Sequence, residues 1–174
     1  MAATLGALDG ARVLDLYAGS GAVGLEALSR GASRALLVEA DPRAAEVIRA
    51  NIAALGLRGA RVVVERADRV LARGPATVSA GGPAVMPAGA AEQHYDFVFA
   101  DPPYATADGE VTAMLTALAD GGWLAPGALV AVERATRSGQ QHWPAGYSPD
   151  RSRRYGEATL WYGLAAGPRP ARSA

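Results

Sequence analysis

A strand that runs straight into glycines spaced G-x-G-x-x-G, with a helix behind them and an acid twenty residues on, leaves few folds open. Residues 11–18, "ARVLDLYA", are apolar, β-branched and aromatic, and they enter "GSGAVG", where Gly19, Gly21 and Gly24 hold that spacing. "VGLEALSRG" (23–31) follows with helical spacing and Gly31 as its stop. Glu39 lies 39 − 19 = 20 residues beyond the first of these glycines. By spacing alone this is a dinucleotide fingerprint, with glycines for a tight turn and Glu39 for ribose hydroxyls. A glycine turn serving only strand–helix packing accounts for the glycines and leaves the acid unexplained.

The remaining chain keeps the alternation going. "SRALLVEAD" (33–41) reads as a strand and "DPRAAEVIRANIAALGL" (41–57) as a helix, capped by Asp41 with Pro42 in its first turn. Val47, Ile48, Ile52 and Leu55 are expected to line one face of that helix. A third strand (60–66), a short helix (67–74), a fourth strand (95–101), a helix within 108–122, a fifth strand (127–135) and a turn-rich stretch (136–150) follow. Near-continuous apolar strands alternating with helices imply a parallel sheet covered on both faces. Residues 153–164, "RRYGEATLWYGL", read as two strands or one bent strand without an intervening helix, so an antiparallel edge is expected. The expected fold is therefore α/β and Rossmann-like, one domain over 1–164. Residues 75–93, rich in Ala, Gly and Pro, read as a flexible loop, and 165–174 as a disordered tail.

Composition narrows the chemistry. The chain has 174 residues and no cysteine, which excludes disulfides, thiolate metal sites and cysteine nucleophiles. His94 and His142 are too isolated to suggest a metal site, and Trp123 reads as core or rim. No signal peptide or membrane-length apolar run is visible, so a cytoplasmic protein is expected. Net charge is zero with all 17 basic side chains arginine, which argues against strong nonspecific nucleic-acid binding. Arg151, Arg153 and Arg154 in "RSRRYG" form either a solvated basic turn or a phosphate contact.

Two features sharpen the site. Asp15 interrupts the first strand where a plain dinucleotide fold prefers apolar residues. A carboxylate there suits a cationic ligand, and S-adenosylmethionine carries an α-ammonium and a sulfonium. Asp15 would meet the amino group directly or through water. Asp68, after the third strand, is placed to accept from the adenine amino group, to cap its own helix, or both. The second feature is "ADPPY" (100–104) at the end of the fourth strand. Two prolines can neither donate to a ladder nor continue a helix, so the strand must stop at Asp101. An exocyclic amine on a base or amide is a poor nucleophile, and its nitrogen becomes positive as it takes a methyl group. Asp101 and the Pro102 carbonyl can accept its hydrogens, Pro103 stiffens the turn, and the Tyr104 ring offers a stacking face to a base drawn out of its helix.

"VLDLYAGSGAVGLEALSRGA", "VEAD", "DFVFADPPY" and "YGEATLWY" resemble the RsmD family, bacterial 16S rRNA guanine-N2 methyltransferases of the class I Rossmann-like fold. The resemblance covers residues 8 to about 164. It implies that Asp15, Ala18, Gly19, Ser20 and Gly21 hold the methionine part of S-adenosylmethionine, with Tyr17, Ala40 and Ala67 completing the cofactor contacts. Glu39 would hold the ribose, Asp68 would lie near adenine, and Asp101, Pro102, Pro103 and Tyr104 would hold the target base. The implied substrate is a guanine of 16S rRNA, presented in the small subunit or its assembly intermediate, and the implied enzyme is a monomer. Family members usually carry some tens of residues before the first strand, with a pattern like R-P-T-x-D-R-V-R-E. Here "MAATLGALDG" stands before Ala11, so the expectation is intact cofactor binding with weaker grip on free RNA. Other substrates for the same turn are a DNA adenine or a protein amide. A nicotinamide oxidoreductase would leave Asp15 and "DPPY" unexplained, and a degenerate binding module would not need the full acid set.

Overall fold

The computed structural model describes residues 8–80 and 94–166. In chain order it forms β1 (Arg12–Leu16), α1 (Ala22–Ser29), β2 (Arg34–Glu39), α2 (Pro42–Leu55), β3 (Ala60–Val64), α3 (Ala67–Arg73) and α4 (Pro75–Ala80). Then come β4 (Tyr95–Ala100), α5 (Asp108–Asp120), β5 (Leu124–Ala135), β6 (Tyr147–Tyr155) and β7 (Ala158–Ala165). The seven strands form one sheet in the order β3-β2-β1-β4-β5-β7-β6. The five strands β3 to β5 run parallel, and β7 and β6 close the edge antiparallel. The parallel sheet with an antiparallel end is the architecture expected from the alternation of elements.

Apolar alternation decides which residues point to which face. Val13, Leu37, Phe97, Phe99 and Ala131 pack against α1 and α2, whereas Leu14, Val38, Val98, Val130 and Val132 pack against α3, α4 and α5. The second core is anchored by Trp123, fully buried, whose Nε1 donates to Leu71 O at 3.2 Å and whose ring stacks on Tyr95. Trp123 is thus core. At the amino end of the sheet, Arg12 grips Asp96 through its amide, Nε and Nη2, each at 2.9 Å, tying β1 to β4. The carboxyl ends of β1 to β5 are left on the opposite rim, around the point where β1 sits between strands that leave in opposite directions.

The structure departs from the expectations in four places. Val47 and Leu55 of α2 are exposed, and Ala45 and Ile48 carry the buried face, because α2 covers only the sheet margin and presents a narrow stripe. Residues 75–80 form α4 rather than loop: Pro75 suits a first helical turn, and Val78 is buried in the same core as Leu71. Residues 81–93, and 167–174 of the expected tail, lie outside the described residues. The edge strand β6 begins at Tyr147, within a stretch expected to turn. It accommodates Pro149 because its register shifts between Pro149 and Arg151, where the ladder is already broken. "RSRRYG" is therefore edge strand rather than turn, and β6 and β7 make a hairpin around Gly156.

Candidate active site

The glycine loop is shaped by close approach. Gly21 has φ +81° at the head of α1, and a Cβ there would lie 3.1 Å from both Ile48 and Leu37. A Cβ on Gly24 would lie 2.9 Å from Leu37 Cδ2 and 3.3 Å from Asp15 Oδ2, so this glycine lets the first turn of α1 settle onto β2. The loop is tied on three sides. Ala18 N donates to Val38 O at 2.9 Å, Gly19 N to Glu39 Oε2 at 2.7 Å, and Asn51 Nδ2 of α2 to Ser20 O at 3.0 Å. Tyr17, just ahead of it, has φ +64°, a conformation costly for a non-glycine residue and held here by these bonds and by its packing on the core.

A cavity of about 900 Å³ opens beside this loop on the α3–α5 side of the rim. Its wall includes Tyr17, Glu39, Ala40, Ala67 and Asp68 on one side and the Asp101–Tyr104 turn on the other. Glu39 accepts from Gly19 N through one oxygen and from Asp41 N, at 2.8 Å, through the other. Asp68 is the second residue of α3, whose N-cap is Arg66, so it is not the cap itself. It accepts from Arg66 Nε at 3.0 Å and Nη2 at 3.3 Å, and that guanidinium holds its carboxyl below the usual range.

Asp15 is the surprise. It does not line the cavity. It is 1% exposed and turns into α1, where Oδ2 accepts from Gly24 N at 2.9 Å. Burial pushes its pKa up to about 7, opposed by the Gly24 amide and reinforced by the negative charges of Asp101 and Glu39. Of the two roles open to Asp15, direct contact with a ligand is not set up by this geometry. Its charge still acts on whatever sits above the loop. Three carboxylates within electrostatic reach of one another make this rim a place that favours cations.

On the far side, β4 stays joined to β1 up to its end, with Asp101 N 3.5 Å from Leu16 O. The next residues leave the sheet: Pro102 is buried, while Asp101 and Tyr104 are exposed to the rim. Thr106 N donates to Pro103 O at 2.8 Å, closing the turn. Burial raises the Asp101 carboxyl above its ordinary value. Glu110 of α5 reaches back to accept from Ala107 N at 3.0 Å. Arg134 of β5, 6% exposed, donates through Nη2 to Thr106 O at 3.0 Å and to Asp108 Oδ1 at 2.7 Å. It pins the stretch between the Asp-Pro-Pro-Tyr turn and α5. Arg134→Met, which keeps the packing stem, is expected to lower stability by about 1–2 kcal/mol, the low end for charged hydrogen bonds because Asp108 is in solvent. Denaturant melts measure this, and turnover should fall more than ligand affinity.

Tyr17, Glu39, Ala40, Ala67, Asp68 and the Asp101–Tyr104 turn thus share one cavity, whereas Ala18, Gly19, Ser20 and Gly21 stand beside it on the rim and Asp15 lies beneath. Sequence reasoning missed Asn51, Arg134 and the left-handed Tyr17. None of the three carried a local signal. His94 Nδ1 lies 2.7 Å from Gly122 O, a structural contact. His142 is exposed, and Trp143 packs instead on Tyr147 and Gly163.

The family model described as "Conserved hypothetical protein 95" matches residues 2–163. The chain belongs to this family, the RsmD family. It is 37% identical over 147 residues to ribosomal RNA small subunit methyltransferase D of Escherichia coli K12, covering 84% of this chain and 65% of that protein. The protein of the same name from Haemophilus influenzae is 31% identical over 121 residues, covering 69% of this chain and 54% of the relative. The chain therefore spans less than two thirds of the length of these relatives. Among solved structures, a putative methyltransferase from E. coli, yhhF, superposes with a TM-score of 0.75 at 32% identity, covering 92% of this chain and 79% of that one. An RNA methyltransferase from Salinibacter ruber, in complex with S-adenosyl-L-homocysteine, superposes at 0.62 with 16% identity over 94% of this chain and 87% of that one, a likeness of fold alone. The RsmD-family chain thus has the class I methyltransferase fold.

Proposed function

We propose that this RsmD-family chain transfers a methyl group from S-adenosylmethionine to the exocyclic N2 of a guanine in 16S rRNA. The observation that carries the reading is the single cavity shared by Glu39, Asp68 and Tyr17 on one wall and the Asp101–Tyr104 turn on the other. The names of the E. coli and H. influenzae relatives support the choice of small-subunit rRNA. The donor set fits S-adenosylmethionine, since clustered carboxylates suit its two cationic centres, and when bound it supplies an electrophilic methyl group. Glu39 accepts from the ribose, Asp68 stands at the adenine, Ala40 and Ala67 flank these acids, and the Ala18–Gly21 loop with Asp15 beneath it lies at the methionine end. Asp101 and the Pro102 carbonyl accept the hydrogens of the target amine, and Tyr104 stacks on its base.

The RNA is best gripped as a folded small subunit or its assembly intermediate, because a chain of zero net charge lacks the electrostatics to hold free RNA. A ribonucleoprotein can present the base already unstacked, which lowers the cost of flipping it. The arginines of the β6 edge add cations at this end of the sheet. Arg151 lies over the Tyr162 ring at 4.6 Å and pairs with Asp150, while Arg153 and Arg154 project to opposite faces. The enzyme acts as a cytoplasmic monomer. The test is methylation of subunits from a strain lacking the modification, followed by mass spectrometry of nucleosides. N2-methylguanine is the expected product. N6-methyladenine, or label in protein, would replace this reading with a DNA or protein N-methyltransferase.

A further inference from the structure

The strand registers bring a second acid, outside the cavity lining, beside Asp101 at the carboxyl ends of the strands. Phe99 pairs with Ala131 and Ala100 with Val132, so the residue after each strand pair, Asp101 and Glu133, stand side by side at the carboxyl ends of β4 and β5. Alternation puts both on the α1 side of the sheet: Phe99 and Ala131 belong to the core on that side, and Glu133 is paired with Leu160 of the same core. Adjacent strands are about 4.8 Å apart. Among the described residues, no hydrogen bond or ion pair engages either carboxylate. Glu133 is half-buried, and burial together with the Asp101 charge raises its carboxyl above the ordinary value. Its neighbour on β5, Arg134, points to the opposite face and is spent on Thr106 and Asp108. Two like charges, partly stripped of water and with no hydrogen-bond or ion-pair partner among the described residues, are unfavourable unless a group rich in donors comes between them.

We propose that Glu133 is a specificity-determining residue that accepts the N1–H of the target guanine while Asp101 accepts from its N2 amine. The inference rests on the proposed guanine-N2 reading and deepens it. The Watson–Crick edge of guanine offers three hydrogens in a row, one on N1 and two on N2. Adenine offers an amine next to a bare N1 lone pair, which a carboxylate repels. Paired acceptors one strand apart therefore favour guanine through attraction and disfavour adenine through an unpaired, desolvated lone pair. Asp101 alone cannot make this distinction, because both bases carry an exocyclic amine. The arrangement also explains why the acid sits on β5 rather than on the turn: a strand position holds it in fixed register with Asp101.

The experiment uses small subunits reassembled on 16S rRNA carrying either guanine or 2-aminopurine at the modified position. The analogue keeps the 2-amino group and replaces N1–H by a lone pair. The wild-type chain is expected to favour guanine at least tenfold in kcat/KM. Glu133→Gln, whose amide can donate to the lone pair, should narrow or invert that preference, and Glu133→Asp should keep its direction. Calorimetry with S-adenosylhomocysteine should give each variant wild-type affinity, which shows that the fold and cofactor half are intact. Equal turnover of the two bases by the wild type, or an unchanged preference in Glu133→Gln, overturns the role of Glu133 and leaves the guanine-N2 reading standing. If Glu133→Gln does not fold, the wild-type preference and Glu133→Asp decide alone. Failure of the wild type to methylate guanine in its natural context overturns both.

Discussion

Asp101→Ala is expected to abolish methyl transfer while leaving affinity for S-adenosylhomocysteine within about threefold of wild type. The carboxylate stands at the rim on a turn stiffened by Pro102 and Pro103, and no described side chain engages it, so it stabilises little in the resting protein. In the proposed reaction its role is realised when the target nitrogen gains positive charge, which two fixed acceptors offset better than water can once the base is in place. Removing one preorganised polar partner of a developing charge typically costs about 10²–10³ in rate. Asp101→Asn keeps an acceptor without the charge and should fall between. Tyr104→Ala should also slow turnover, on the order of 1–3 kcal/mol for a lost stacking face. The acid works as a carboxylate, and burial raises its pKa. The rate should therefore fall as pH drops through a value above the ordinary aspartate range, and this limb should vanish in Asp101→Asn. Near-wild-type turnover in Asp101→Ala would remove Asp101 from the mechanism.

Much of this site was legible because its parts depend on backbone. Glycines at Gly19, Gly21 and Gly24, prolines at Pro102 and Pro103, and an acid at a set distance each report a local constraint that spacing reveals. The sheet was legible for the same reason, since apolar strands alternating with capped helices admit few arrangements. What escaped was set by tertiary contact. Arg134 and Glu133 are neighbours in "VERA", and nothing local says that one clamps the Thr106 stretch while the other stands beside Asp101. That follows only from the parallel register of β4 and β5. Val47 and Leu55 failed for a related reason: a helical stripe can be read from spacing, but how much of it the sheet covers cannot. The turn-rich look of residues 136–150 concealed an edge strand, because β6 tolerates proline and charge where its outer ladder faces solvent.

The location of Asp15 leads to the second large effect, which is one of pH. A carboxyl whose pKa is raised by folding binds a proton in the native state over a range where the unfolded chain has lost it. Asp15 goes from 3.8 to about 7. Its contribution to stability is therefore complete below pH of about 4 and is lost as pH rises towards 7. At about 1.4 kcal/mol for each pH unit of that window, this amounts to about 4 kcal/mol. Asp15→Asn keeps an oxygen for the Gly24 amide and never ionises. The difference in stability between wild type and Asp15→Asn in the ligand-free protein should thus shift by several kcal/mol in the variant's favour across that window. Taking the difference cancels Asp68 and Asp96, whose lowered pKa values act in the opposite sense in both proteins. A cationic ligand above the loop reverses the preference of Asp15 and favours the carboxylate. Binding near pH 6 should then release a proton, seen as a calorimetric heat that scales with the ionisation enthalpy of the buffer. Asp15→Asn should lose this release and bind S-adenosylmethionine more weakly at pH 8, where the wild-type carboxyl is largely ionised and acts on the ligand through space. Buffer-independent heats in the wild type, with affinity unchanged in the variant, would mean that Asp15 shapes the loop and does nothing for the ligand.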